Sequence, residues 1–211
     1  MRKSVRSPIP PEGFRYQAEV VPLEEEQALV EQLQQLPLKE FEFHGYVGKR
    51  RTLSFGWHYD FGEERLQHAD QIPGFLQKLR ERAAAFADLK AEDLRHALVT
   101  EYGPGTTIGW HRDKGVFEDV VGISLLSPCT FRLRRKTAGG WERYSLTAEP
   151  RSAYLLRGAA RTQWEHSIPA VDALRYSVTF RSLRVRQQEI ASKARPSQTG
   201  SLGPEMIGGS S

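Results

Sequence analysis

The sequence predicts an α+β chain, mainly β, with helices leading and antiparallel strands following. Three observations carry that reading. Apolar residues recur at helical spacing in two stretches of the first half. Seven short runs of strand composition follow one another after Arg95, broken by Gly- and Pro-containing turn clusters. No helical pattern alternates with those runs, as a parallel sheet with crossover helices would require.

In chain order, the first predicted helix spans Leu23 to Leu36, with Leu29, Val30, Leu33 and Leu36 on one face. Glu24, Glu25 and Glu26 sit where the helix dipole favours acids, and Pro37 stops the helix. A second helix starts near Pro73 and carries Phe75, Leu76, Leu79, Ala83 and Phe86 at i, i+3/i+4 spacing. Between them lies Phe41 to Phe61, aromatic and glycine-rich, with a basic Lys49-Arg50-Arg51 run. The strand runs are His96–Tyr102, Val120–Leu126, Cys129–Arg135, Trp141–Leu146, Ser152–Arg157, Thr162–Ile168 and Arg175–Leu183. So many short strands at this spacing predict an antiparallel sandwich or barrel. The segment 187–211 is polar and without periodicity and is expected to be a disordered tail.

Composition narrows the function. The 211 residues include 39% apolar side chains, enough to bury a core, so a wholly disordered chain is excluded. A single cysteine, Cys129, excludes an intramolecular disulfide framework and a cysteine-based zinc site and reads as a buried small hydrophobe. No apolar stretch approaches a membrane span, and the basic N-terminus never reaches an apolar signal core. A cytoplasmic protein without a membrane partner is therefore expected. The net charge of +4 permits a nucleic-acid partner without demanding one.

Six histidines are present, and two of them open His-x-Asp triplets, His58-Tyr59-Asp60 and His111-Arg112-Asp113. Residues i and i+2 at a strand end project to one side, so an imidazole and a carboxylate can meet one metal ion. A second histidine from another strand completes a two-His, one-carboxylate face whose open positions suit non-haem Fe(II). The second triplet lies between predicted strands and is followed 53 residues after Asp113 by His166. Nine residues later begins Arg175-Tyr176-Ser177-Val178-Thr179-Phe180-Arg181. Strand alternation puts Arg175, Ser177, Thr179 and Arg181 on one face. Two inward guanidiniums are costly unless an anion lies between them, and a dicarboxylate matches their geometry. The first triplet has no such partners and reads as a polar loop beside the site.

Together, Tyr102-Gly103-Pro104-Gly105, His111-x-Asp113, Phe117-Glu118-Asp119, the Gly158–His166 segment with Arg161, and Arg175-x-Ser-x-Thr-x-Arg181 resemble a known family. It is the AlkB-like branch of the Fe(II)- and 2-oxoglutarate-dependent dioxygenases, and the resemblance covers roughly residues 95–184. It implies a double-stranded β-helix, or jelly roll, in residues 95–186, with residues 1–94 supplying helices and a substrate lid packed on the same domain. It implies Fe(II) held by His111, Asp113 and His166, with 2-oxoglutarate and O2 as co-substrates. Arg175 would pair with the distal carboxylate of 2-oxoglutarate and Arg181 would serve the iron-proximal end. Tyr102, Thr100, Ser177 and Thr179 would complete the co-substrate site.

Thr100 and Ser177 stand where the family pattern has asparagine; both can still hydrogen-bond. Gly115 stands where the founding bacterial repair enzyme carries a base-contacting carboxylate, so a different base preference is expected. The lid maps onto the segment holding Tyr46, Arg50, Arg51, Trp57 and Tyr59, whose aromatic and basic residues suit base stacking and phosphate contact. The same segment also reads as core strand, with Phe43, Phe55 and Trp57 inward and the basic run a solvated turn. Trp110 and Arg161 are further candidates for substrate contact. The basic run Arg132-Leu133-Arg134-Arg135-Lys136 reads either as a track for phosphates or as a charged edge strand. The expected function is oxidative demethylation of alkylated DNA or RNA by a monomer. The alternatives are the same chemistry on a protein or small molecule, and a non-catalytic basic nucleic-acid-binding module.

Overall fold

The computed structural model describes residues 9–43, 46–60, 65–68 and 70–184. In chain order these hold β1 (Phe14–Gln17), α1 (Leu23–Gln34), β2 (Lys39–Phe43), β3 (Tyr46–Asp60), β4 (Arg65–His68) and α2 (Gln77–Phe86). Then come β5 (Leu94–Tyr102), β6 (Ile108–His111), β7 (Phe117–Leu125), β8 (Cys129–Thr137), β9 (Gly140–Ala148) and β10 (Ser152–Leu156). A short helix α3 (Gly158–Thr162), β11 (Glu165–Ile168) and β12 (Arg175–Leu183) complete the described chain. The tail expected from 187 lies outside the described residues.

Two antiparallel sheets form. The larger runs β1-β10-β7-β12-β5-β3-β2, with β4 paired to β3; the smaller runs β6-β11-β8-β9. Strands β10, β7, β12 and β5 face this smaller sheet as the expected jelly roll. One apolar cluster, including Leu29, Leu33, Leu79, Ala83, Val99, Ile123 and Val178, glues α1 and α2 to the outer face of the large sheet. A second cluster, including Phe131, Leu133, Tyr102, Tyr154 and Trp164, fills the space between the sheets. Every residue of β12 is buried. Tyr176, Val178 and Phe180 join the helix-side cluster, which leaves Arg175, Ser177, Thr179 and Arg181 on the inter-sheet side.

The structure corrects three readings. The expected strand Thr162–Ile168 is shorter, Glu165–Ile168, because α3 takes up Gly158–Thr162, turned off β10 at Gly158 with φ +54°. The triplet at 58–60 is not a loop: its backbone belongs to β3, with His58 opposite Gln67. And β8 is an interior strand, paired on both sides by β11 and β9, so its basic run is no edge-strand device. Phe55, by contrast, is a core strand residue.

An ion-pair cluster fastens the two helices. Arg82 grips Glu25 with two hydrogen bonds of 2.8 Å, and Lys78 Nζ lies 2.9 Å from the same carboxylate. Burial opposes ionisation of Glu25, but these cations outweigh it and hold its pKa below the ordinary 4.5. A carboxyl depressed in the folded state stabilises above its unfolded pKa, and the contribution fades as pH falls through the folded one. Glu25→Gln is therefore expected to lower the melting temperature at pH 7 by about 2–4 °C, from about 1 kcal/mol. The gap to the wild type should close towards pH 3 in thermal melts across that range.

Candidate active site

Strands β6 and β11 pair so that His111 and His166 stand directly opposite each other, with ring centroids 4.2 Å apart. Asp113, two residues beyond the end of β6, turns its carboxylate to the same place: its Oδ2 lies 3.7 Å from His166 Nε2. That gap is too long for a hydrogen bond, and Oδ2 is buried with no hydrogen-bond partner. Oδ1 accepts from Arg181, at 2.9 Å from Nε and 2.7 Å from Nη2. Burial works against charge on Asp113, but Arg181 and then His166 overcome it and hold the carboxyl well below the usual carboxylate range. Burial, with His111 alongside, pushes His166 down to about 3, so its imidazole is neutral.

The second contacts of these donors also suit a metal. His111 Nδ1–H donates to the Gly109 carbonyl at 2.9 Å, which fixes the tautomer and leaves Nε2 as the ring's lone-pair donor. Among the described residues no three such side chains are drawn around one point tightly enough to make a finished metal site. The fit rests instead on the donor set, two imidazoles and one carboxylate, and on the orphaned Asp113 Oδ2. These three residues could hold Fe(II) on one face.

Beside them lies an anion cradle. Arg175 is 0% exposed; its Nε donates to Ser124 Oγ at 3.2 Å, yet both terminal nitrogens lack hydrogen-bond partners. Its guanidinium lies over the Tyr102 ring, 4.8 Å from the centroid. A buried cation in this state wants an anion, and two free N–H edges match a carboxylate. Register places Ser177 opposite Thr100 on β5 and Ser124 on β7, so hydroxyls replace the asparagines of the family pattern on adjacent strands. Arg181, at the other end, also meets His96 Nδ1 at 3.1 Å.

A cavity of about 70 Å³ runs between the sheets, lined by His111, Asp113, His166, Arg181, Thr100, Thr179 and Tyr102. Tyr154 and Phe131 also line it, and sequence reading missed both, as it missed His96 and Ser124. A signal for Tyr154 was available: a glycine inside a strand marks a close approach. Tyr154 stands opposite Gly122 on β7, where a Cβ would lie 2.1 Å from the ring. Since the ring also packs on Phe131, 4.4 Å between centroids, it cannot withdraw freely. Gly122→Ala is expected to cost about 1–3 kcal/mol by overpacking and to weaken 2-oxoglutarate binding. Tyr154→Ala should cost less in this background than in the wild type, because the clash disappears with the ring, as urea unfolding of the single and double variants would show.

The residues expected to touch substrate separate. Arg50 lines the cavity together with Thr52. Arg51, next along β3, faces the other side, where it pairs with Glu101 at 3.1 Å; successive strand residues cannot share a face. Trp57 packs with Phe117 and Leu183. Arg161 is buried and donates to the carbonyls of Lys114 and Phe117, so it braces the loop after Asp113 where substrate contact was expected. Trp110 lies on the outer face of the small sheet beside Arg132 and Arg134. The side chains of Tyr46 and Tyr59, like those of His58 and Asp60, lie outside what the structure describes.

Residues 13–186 match the 2OG-Fe(II) oxygenase superfamily, and the chain belongs to that superfamily. That membership implies an oxidoreductase, a dioxygenase using Fe(II), 2-oxoglutarate and O2. The chain is 28% identical over 164 residues to an Arabidopsis thaliana protein, "Alkylated DNA repair protein ALKBH8 homolog", across 65% of this chain and 47% of that protein. The chain thus spans about half the length of that relative. The structure of OsALKBH1 superposes with a TM-score of 0.61 at 16% identity, covering 81% of this chain and 96% of that one. A Pseudomonas putida prolyl-4-hydroxylase superposes at 0.55 and 13%, covering 82% of this chain and 93% of that one. These two likenesses are of fold.

Proposed function

We propose that the chain oxidatively removes N-linked methyl groups from alkylated bases of DNA or RNA. The observation that carries this reading is the character of the rim around the metal donors. Arg112 and Lys114, both exposed, alternate with His111 and Asp113, and Arg50 reaches the cavity from β3. Cations around a narrow pocket suit phosphates outside and one extruded base within. Gly115 has open space where a Cβ would stand, leaving room for that base. The AlkB-like relative named for alkylated DNA repair supports the same substrate class.

Bound Fe(II) supplies O2 activation, coupling oxidative decarboxylation of 2-oxoglutarate to hydroxylation of a substrate C–H bond. One oxygen atom ends in succinate and the other in an N-hydroxymethyl group, which loses formaldehyde as its hydroxyl proton passes to the nitrogen. In this reading the chain's own residues do the rest. His111, Asp113 and His166 hold the metal, and Arg181 keeps Asp113 ionised and aimed. Arg175 anchors the distal carboxylate, while Tyr102, Thr100, Ser177 and Thr179 line its berth. Phe131 and Tyr154 help exclude water from the pocket.

The test is formaldehyde release from oligonucleotides carrying N-methylated bases, with Fe(II) and 2-oxoglutarate each omitted in turn. Release that needs both is expected. Succinate formation stimulated by methylated or proline-containing peptides, and by no oligonucleotide, would overturn the reading.

A further inference from the structure

The outer face of the small sheet carries a ladder of tryptophans and arginines that the chemistry above does not use. The Arg134 guanidinium lies 4.3 Å from the ring centroids of both Trp110 and Trp141, and Arg132 lies 5.0 Å from Trp110. The ladder links three of the four strands, from the residue beside His111 to the edge strand β9. Strand alternation puts Arg132, Arg134 and Lys136 of β8 on this face, with Trp141 and Arg143 of β9 beside them. The outward residues of β11 add only one carboxylate, Glu165, which pairs with Arg134 at 2.7 Å. Among the described residues of these strands, four cations thus meet one acid on this face. Arg135 points the other way and is partnered there by Glu142 and Trp164.

Because β8 is an interior strand, protection of an exposed edge does not explain its charges. Trp141, on the edge strand, is 41% exposed, although Arg134 covers part of it. An exposed indole framed by uncompensated cations is the chemistry that holds unpaired bases and their phosphates. A duplex would keep its bases stacked on one another, away from such a platform.

We propose that this face is a docking surface for single-stranded nucleic acid, with a base stacked on Trp141 and phosphates held by Lys136, Arg143 and Arg132. It would lead the strand past Trp110 to the pocket. The inference rests on the proposed substrate class, and its test separates the two. Binding of unmethylated single-stranded oligonucleotides to the full chain is measured by fluorescence anisotropy over a range of salt. Lys136→Gln with Arg143→Gln is expected to weaken binding about tenfold or more and to flatten the log–log salt slope by about 1.4, two phosphates' worth. Trp141→Ala is expected to weaken it about tenfold with the slope unchanged. Melting temperatures equal to the wild type would certify the fold of these surface variants. Equal binding by wild type and all variants overturns the docking surface and leaves the demethylase reading standing. No binding by the wild type overturns both. Heparin binding as tight as the oligonucleotide's, with Trp141→Ala without effect, overturns the stacking and leaves a general polyanion surface.

Discussion

Alanine in place of Asp113 is expected to leave succinate formation below detection. Loss of an outer-shell partner of a metal site costs about 10–100-fold; loss of the carboxylate itself should exceed that range. The same change strips Arg181 of its counter-ion in a pocket where that side chain is only 10% exposed. An uncompensated buried charge costs about 3–5 kcal/mol, so the alanine variant should also melt lower. Asp113→Asn separates the two effects. The amide oxygen can still accept from Arg181, so most of the stability should return, while an uncharged donor binds Fe(II) poorly and activity should stay absent. Iron content, succinate release and thermal melts, measured side by side, check both variants. Full activity in Asp113→Asn, with activity lost in Asp60→Ala, would transfer the metal to the other triplet.

Arg175→Met is expected to have opposite effects on stability and on co-substrate binding. In the wild type the guanidinium is wholly buried with two nitrogens unsatisfied, an arrangement that burdens the protein until an anion arrives. Replacing such a charge with an apolar side chain of similar length is often neutral or stabilising. The variant without co-substrate should therefore melt at or above the wild-type temperature. Its affinity for 2-oxoglutarate should fall by the roughly 2–5 kcal/mol of losing one partner of a desolvated charge pair, from about 30-fold to several thousand-fold. Calorimetric titration with Mn(II) in place of Fe(II) reads the affinity without turnover. A variant that melts lower and binds 2-oxoglutarate as well as the wild type would show Arg175 to be a packing residue.

Much of this was legible from residues alone, for reasons that differ by element. Helices α1 and α2 bury one face against one sheet, so their apolar spacing survives in the sequence. Strand β12 has hydrophobic and polar faces that both end up buried, and its alternation announced the arginine pair before any contact was known. The His111–Asp113–His166 set was legible because two of its members are two residues apart at a strand end. Strand β3 was not. Its 15 residues include Gly56, whose φ of +76° brings it close to the Arg95 carbonyl, and its aromatic, basic and glycine content reads equally as a lid or a strand. Nor could sequence decide between Arg50 and Arg51; only register against β5 shows which one enters the cavity. The interior position of β8 is likewise a fact of topology, and it changes the meaning of a basic run that composition left open.

The most direct test is anaerobic titration of the protein with Fe(II) and 2-oxoglutarate while following the weak visible charge-transfer band of their chelate. A band that saturates at one equivalent of each, and is missing in His111→Ala, is the predicted result. With iron loading verified, no band in the wild type would mean that Thr100 and Ser177 have dismantled the co-substrate berth. A band that persists in His111→Ala would place the metal on other ligands.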